Sequence, residues 1–210
     1  MKRRYIIYCI LSVLLALFVI NMYLEPYMHG SIDKPVLYLY PEEDINVKVS
    51  FKNPELLTTT YPKYNNGWNV FVDKSGNIND GEKNYYALYW EEKPTKKESF
   101  NEGFYVEKDN AIEFLEEKLS IIGLNDRERN EFIMYWLPIL EKNKKSLVYF
   151  ELTDEKQKAN ELIIEPKPDS LLRLTMHVKK VNRKTEIKEQ TLNTFKRIGF
   201  TAVEWGGIVE

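Results

Sequence analysis

Two carboxylates stand beside indoles in this chain: Glu91, in Trp90-Glu91-Glu92, and Glu204, in Glu204-Trp205. An acid packed against an aromatic ring in a dry site is held above its usual pKa, which suits it to general-acid work. Two such acids about 5–10 Å apart across a cleft would form a glycoside-hydrolase pair, so Glu91 and Glu204 are the catalytic candidates. The plainer alternative is a pair of strand ends where Trp is buried and Glu meets water. The catalytic reading requires residues far apart in sequence to meet.

A second chemistry is offered by Tyr61-Pro62-Lys63-Tyr64-Asn65-Asn66-Gly67-Trp68. Rings that stack on sugars or proline, beside amides that hydrogen-bond hydroxyls, make ligand platforms. Tyr61, Tyr64, Asn65 and Trp68 are therefore the ligand-binding candidates. The same residues also suit a loop pinned to a sheet.

Covalent and metal chemistry find little support. There is no G-x-S-x-G, and the single cysteine, Cys9, lies in an apolar segment. Ser31-Ile32-Asp33-Lys34 has S-x-x-K spacing, but Pro35 follows at once and no helix can present Lys34 one turn away. Lys74-Ser75-Gly76 overlaps Ser75-Gly76-Asn77 in one turn, so neither serves as a separate motif. His29 and His177 are the only histidines, too few for a histidine-based zinc site, and His177 reads as an ordinary strand residue. The stretch from Asp73 to Gly81 resembles a calcium loop, but Ile78 stands at its sixth position and Asn84 at its twelfth, where Gly and Glu belong. A hairpin turn explains it better. The expectation is no metal and no cofactor.

The elements that must position these residues follow from composition and spacing. Hydrophobic residues make up 43% and charged residues 30%, the balance of a globular protein, and the 13% aromatic content leans toward strands. All 32 acidic residues follow residue 24, whereas Lys2, Arg3 and Arg4 precede it; the 30 basic residues less those three leave 27, a net of −5. That charge excludes a general footprint for nucleic acid. The run Lys179-Lys180 to Arg183-Lys184 reads as a solvated hairpin tip.

Tyr5 to Leu24 is a run of 20 residues without a charge, long enough to span a hydrocarbon core of about 30 Å. The three basic residues before it predict a cytoplasmic N-terminus and an extracytoplasmic bulk. No small-x-small cleavage site follows the run, so an uncleaved anchor is expected. The predicted organisation is a basic tip and transmembrane anchor at 1–24, a linker at 25–33 and one domain at 34–210.

Within that domain, strands are predicted at 36–40, 46–51, 56–61, 68–73, 85–91, 147–152, 161–165, 171–181 and 201–205. Ala111, Ile112, Phe114, Leu115, Leu119 and Ile122 recur at helical spacing, with Asp109 or Asn110 as N-cap and Gly123 as C-cap. A second helix begins at Asn125, whose spacing to Glu128 gives a capping box, and Pro138 is expected to limit it. A short helical turn is expected at 192–198. The fold class predicted is α+β: an N-terminal transmembrane helix, then an antiparallel β-rich domain with an inserted αα-hairpin.

Several segments together carry a resemblance: Lys34-Pro35-Val36-Leu37-Tyr38-Leu39-Tyr40-Pro41-Glu42, the stretch from Tyr61 to Val70, Leu88-Tyr89-Trp90-Glu91, Tyr135-Trp136-Leu137-Pro138, Pro166-Lys167-Pro168-Asp169-Ser170 and Val203-Glu204-Trp205-Gly206-Gly207. The chain resembles an uncharacterised family of exported, anchored or lipoprotein-like proteins of Gram-positive gut bacteria and clostridia. The resemblance implies an envelope location and a single folded unit over about residues 34–207. It implies no catalytic residue, cofactor or substrate.

The functional expectation is a non-enzymatic domain that binds a cell-envelope polymer or a surface protein. Its partners would be the lipid bilayer, through residues 5–24, and a cell-wall polymer or membrane protein, with no nucleic acid. An envelope glycan hydrolase using Glu91 and Glu204 is the alternative, and an accessory subunit of a membrane complex is a third reading.

Overall fold

The run Val36-Leu37-Tyr38-Leu39 has no wet side: all four residues are buried, which marks a strand covered on both faces. It belongs to β1 (Ile32–Tyr40), followed by β2 (Ile45–Phe51), β3 (Leu57–Tyr61) and β4 (Trp68–Val72). Short strands β5 (Ile78–Asn79) and β6 (Asn84–Tyr85) precede β7 (Leu88–Glu92) and β8 (Glu102–Glu107). Helices α1 (Ala111–Ile122) and α2 (Asp126–Asn143) come next, then β9 (Lys145–Glu151) and the short α3 (Thr153–Ala159). The chain closes with β10 (Leu162–Glu165), β11 (Ser170–Lys180), β12 (Lys188–Glu189) and β13 (Thr201–Val209). The computed structural model describes Val13, Leu15, residues 32–93 and residues 99–210. Residues 1–30 and 31–210 form separate units.

Eight strands make one sheet in the order β12-β8-β9-β11-β13-β1-β7-β3, and five make a second in the order β10-β2-β4-β5-β6. Alternation along β1 explains how the layers stack. Val36 and Tyr38 enter one core with Leu115, Leu119, Phe132 and Trp136 of the helices. Leu37 and Leu39 enter another with Val47, Val49, Trp68 and Val70 of the second sheet. The large sheet is thus the middle of three layers, and both cores are built from residues 36–205. A chain cut at residue 31 keeps every residue of both.

The helix pair forms for local reasons. Asn125 accepts from the Glu128 amide at 2.9 Å while Glu128 accepts from the Asn125 amide at 2.9 Å, closing the capping box. Gly123, at φ +107°, ends α1 in the left-handed conformation that glycine adopts without strain. Pro138 does not end α2, which runs on to Asn143. The bond it forgoes would go to the Met134 carbonyl, and both residues are exposed.

The predicted fold class is corrected on two counts. Among the described residues no helix is long and apolar enough to cross a membrane. The predicted segment 5–24 lies outside the described residues, Val13 and Leu15 apart, as does most of the linker at 25–33. The domain is also not simply antiparallel: it is β-rich with two sheets, and β11–β13 and β12–β8 pair in parallel. Residues 192–198 form no helical turn, and α3, whose sequence is polar apart from Ala159, falls where none was expected.

Candidate functional site

Glu91 and Glu204 are not brought together. Along β7, Leu88 and Trp90 point to the second sheet while Tyr89 points to the helical layer, so Glu91 shares the helical face. Along β13, Ala202 points to the second sheet and Val203 and Trp205 to the helices, so Glu204 lies on the opposite face. Glu91 is half-buried and accepts from the Tyr89 hydroxyl at 2.6 Å. Glu204 is fully buried and ion-paired with the buried Arg173. A carboxylate locked in that way reaches no substrate.

Glu204 belongs instead to a closed polar network that ties α3 to the large sheet. Arg173 donates to Glu204, to the Gln157 side chain and to the Asn160 carbonyl at 2.6 Å. Asn160 donates to Glu92 at 2.7 Å, and Lys156 donates to the other Glu92 oxygen at 3.0 Å. Each buried cation meets a buried anion, which offsets the cost of removing them from water. Glu92, Lys156 and Arg173 were invisible as a group in the sequence because they come from three separate elements.

His177, read as an ordinary strand residue, lies in β11. It is buried, with Nδ1 3.0 Å from Glu210 and Nε2 3.4 Å from Glu151. Among the described residues no cluster of His, Cys, Asp and Glu has the geometry to hold a metal ion. The calcium-like loop is a set of turns. Asp73 accepts from the amides of Ser75 and Asn77 and from the Asn77 side chain, and that side-chain bond leads the causes that lower its pKa. Asp80 accepts from Lys83 and Glu82 amides and from the Tyr85 hydroxyl at 2.8 Å. Those bonds hold the Asp80 pKa down and push the Tyr85 phenol up to about 12.

The aromatic stretch is pinned. Trp68 is buried and its indole N–H donates to the Pro62 carbonyl at 2.9 Å. Tyr64 is half-buried, packs edge-on against Trp68 and accepts from the Phe51 amide at 3.2 Å. Asn65 is exposed, as is Tyr61, whose ring meets Tyr85 edge-on. Of the three rings, Tyr61 alone has a broad free surface.

An open face lies next to this loop, on the outer side of the five-stranded sheet. Pairing registers Asn46 with Phe71, Phe71 with Asn79 and Asn79 with Asn84, forming one row across four strands. A second row runs Glu165, Lys48, Asn69. Phe71 is 42% exposed although its strand neighbours Val70 and Val72 are buried. The Asn79 amide donates to the Asn84 oxygen at 2.7 Å and accepts from the Gly81 amide at 2.8 Å, so the row is ordered and leaves the Asn84 NH₂ free to donate. Asn46, Lys48, Asn69, Phe71, Asn79, Asp80 and Glu165 line a shallow depression of about 520 Å³, with Asn84 beside it in the row. Lys48 is balanced by Glu165 at 3.6 Å.

Among curated proteins the chain is similar to an uncharacterized protein in the bglA 3′ region of Butyrivibrio fibrisolvens, 39% identical over 61 residues. That match covers 28% of this chain and 64% of the relative, so the chain spans under two thirds of the relative's length. No family model matches the chain. No solved structure matches it.

Signals for the open face existed in sequence. Asn46-Val47-Lys48-Val49 and Trp68-Asn69-Val70-Phe71 alternate, and in each the outward set holds an asparagine. What sequence lacked was the register that sets Phe71 among three amides.

Proposed function

We propose that this domain binds a hydroxyl-rich polymer of the cell envelope, without turning it over, on the outer face of its five-stranded sheet. The observation that carries the reading is the row Asn46–Phe71–Asn79–Asn84. An exposed ring gives an apolar platform for one face of a sugar, and amides on both sides supply donors and acceptors for its hydroxyls. At the 4.7–4.9 Å spacing of neighbouring strands the row is about 14 Å long, the reach of a short oligosaccharide. The face is polar and nearly charge-balanced, which suits a neutral glycan better than a polyanion. The separation of Glu91 from Glu204 onto opposite faces supports binding over hydrolysis.

The test is co-sedimentation of residues 31–210 with purified Gram-positive cell wall, with the supernatant assayed for released sugar. Binding without release is the expected result. Release of sugar, or no binding to wall polysaccharide, would overturn the reading, and the latter would point to a protein partner.

A further inference from the structure

The domain as a whole is acidic, yet one end of the large sheet is strongly basic. Backbone pairing brings that end together from four directions. The Lys108 amide donates to the Lys144 carbonyl at 2.9 Å, and the Val181 amide donates to the Lys145 carbonyl at 3.0 Å. Glu107 pairs with Lys145, and Lys180 with Ser146. The end of α2, the start of β9, the end of β8 and the end of β11 therefore converge. They gather Lys142, Lys144 and Lys145 with Lys179 and Lys180, and the loop after β11 adds Arg183 and Lys184.

The cations here are underused. Among the described residues Lys142, Lys144, Lys145, Lys180, Arg183 and Lys184 form no ion pair. The nearby acids are fewer: Glu107 accepts from Tyr105, Asp109 stands 3.7 Å from Lys108, and Glu141 and Glu186 are exposed. Glu210 bonds the Val178 carbonyl through its amide and pairs with His177, and Asp33 lies at the start of β1. Complementing the negative end of α2 accounts for Lys142 and Lys144. It does not account for Lys180, the last residue of β11, or for Arg183 and Lys184 in the loop after it.

The direction of the strands places the start of β1 at this end. β13 runs parallel to β11, and β1 runs antiparallel to β13, pairing Ile32 with Ile208 while His177 also pairs with Ile208. β1 therefore begins at the basic end. Residues 1–30, whose sequence holds the uncharged apolar run 5–24, precede this strand in the chain. We infer that the end of the sheet carrying Lys144, Lys145, Lys180, Arg183 and Lys184 docks on an anionic phospholipid surface. Each cation held within a Debye length of such a surface adds to binding, and salt weakens it. This inference does not depend on the glycan reading, because the two surfaces share no residue.

The test is sedimentation of residues 31–210 with vesicles of phosphatidylcholine alone and of phosphatidylcholine mixed with phosphatidylglycerol. The anionic vesicles should bind at least about tenfold more tightly at low salt, and the gain should vanish at high salt. Lys180→Glu with Arg183→Glu and Lys184→Glu should remove the gain while leaving the thermal melt unchanged, since all three are exposed. Phe71→Ala should leave it intact. Equal binding to both vesicles, or full binding by the charge-reversed variant, would overturn the inference. Capture of soluble polyphosphate with no preference for anionic vesicles would also overturn it, assigning the surface to a free polyanion.

Discussion

Arg173 and Glu204 stand opposite each other on the neighbouring parallel strands β11 and β13, both fully buried, and their side chains close an ion pair. That pairing turns a candidate acid into a structural group. Removing one partner strands a charge in the core. Glu204→Gln should lower unfolding free energy by about 3–5 kcal/mol, read by urea denaturation. Glu204→Leu with Arg173→Met should cost less than either single change, because the double variant buries no unpaired charge.

Trp136 of α2 lies directly against Gly207 of β13, so a Cβ at position 207 would overlap the indole and approach the Met176 carbonyl to 2.7 Å. Gly207→Ala should destabilise by about 1–3 kcal/mol through overpacking. It should also change tryptophan fluorescence, and a variant with wild-type stability would show that the helix layer shifts freely.

Tyr38 is buried and donates to Glu131 at 2.7 Å. Burial first, then that hydrogen bond, raise its pKa in the folded state above the unfolded value of about 10. The folded form holds the proton more tightly, so this contribution is complete below about pH 10 and is lost as pH rises beyond it. Stability should fall progressively as pH rises above about 10, and Tyr38→Phe should flatten that fall.

The elements with a simple period were legible. Strands at 45–51 and 68–72 alternate, and the helices at 111–122 and 126–143 carry apolar residues at every third or fourth position. Position in the layers was not. In β11, Arg173, Thr175 and His177 alternate with apolar residues, yet all three are buried. A period of two distinguishes the faces of a strand but does not say what covers each face. The same ambiguity hid Glu92 and Glu204. Trp68 looked like a platform because its neighbours are polar, but its outward-pointing strand mates are Asn69 and Phe71.

Phe71 on the sheet face and Tyr61 at the end of β3 are both exposed, and binding on the sheet face requires only the first. The most direct measurement compares Phe71→Ala and Tyr61→Ala with the unchanged domain in binding to purified wall polysaccharide. Phe71→Ala should lose about tenfold or more, the size expected for a central aromatic contact, with unchanged thermal stability. Tyr61→Ala should bind nearly as well as the unchanged domain. Full binding by Phe71→Ala would contradict the account.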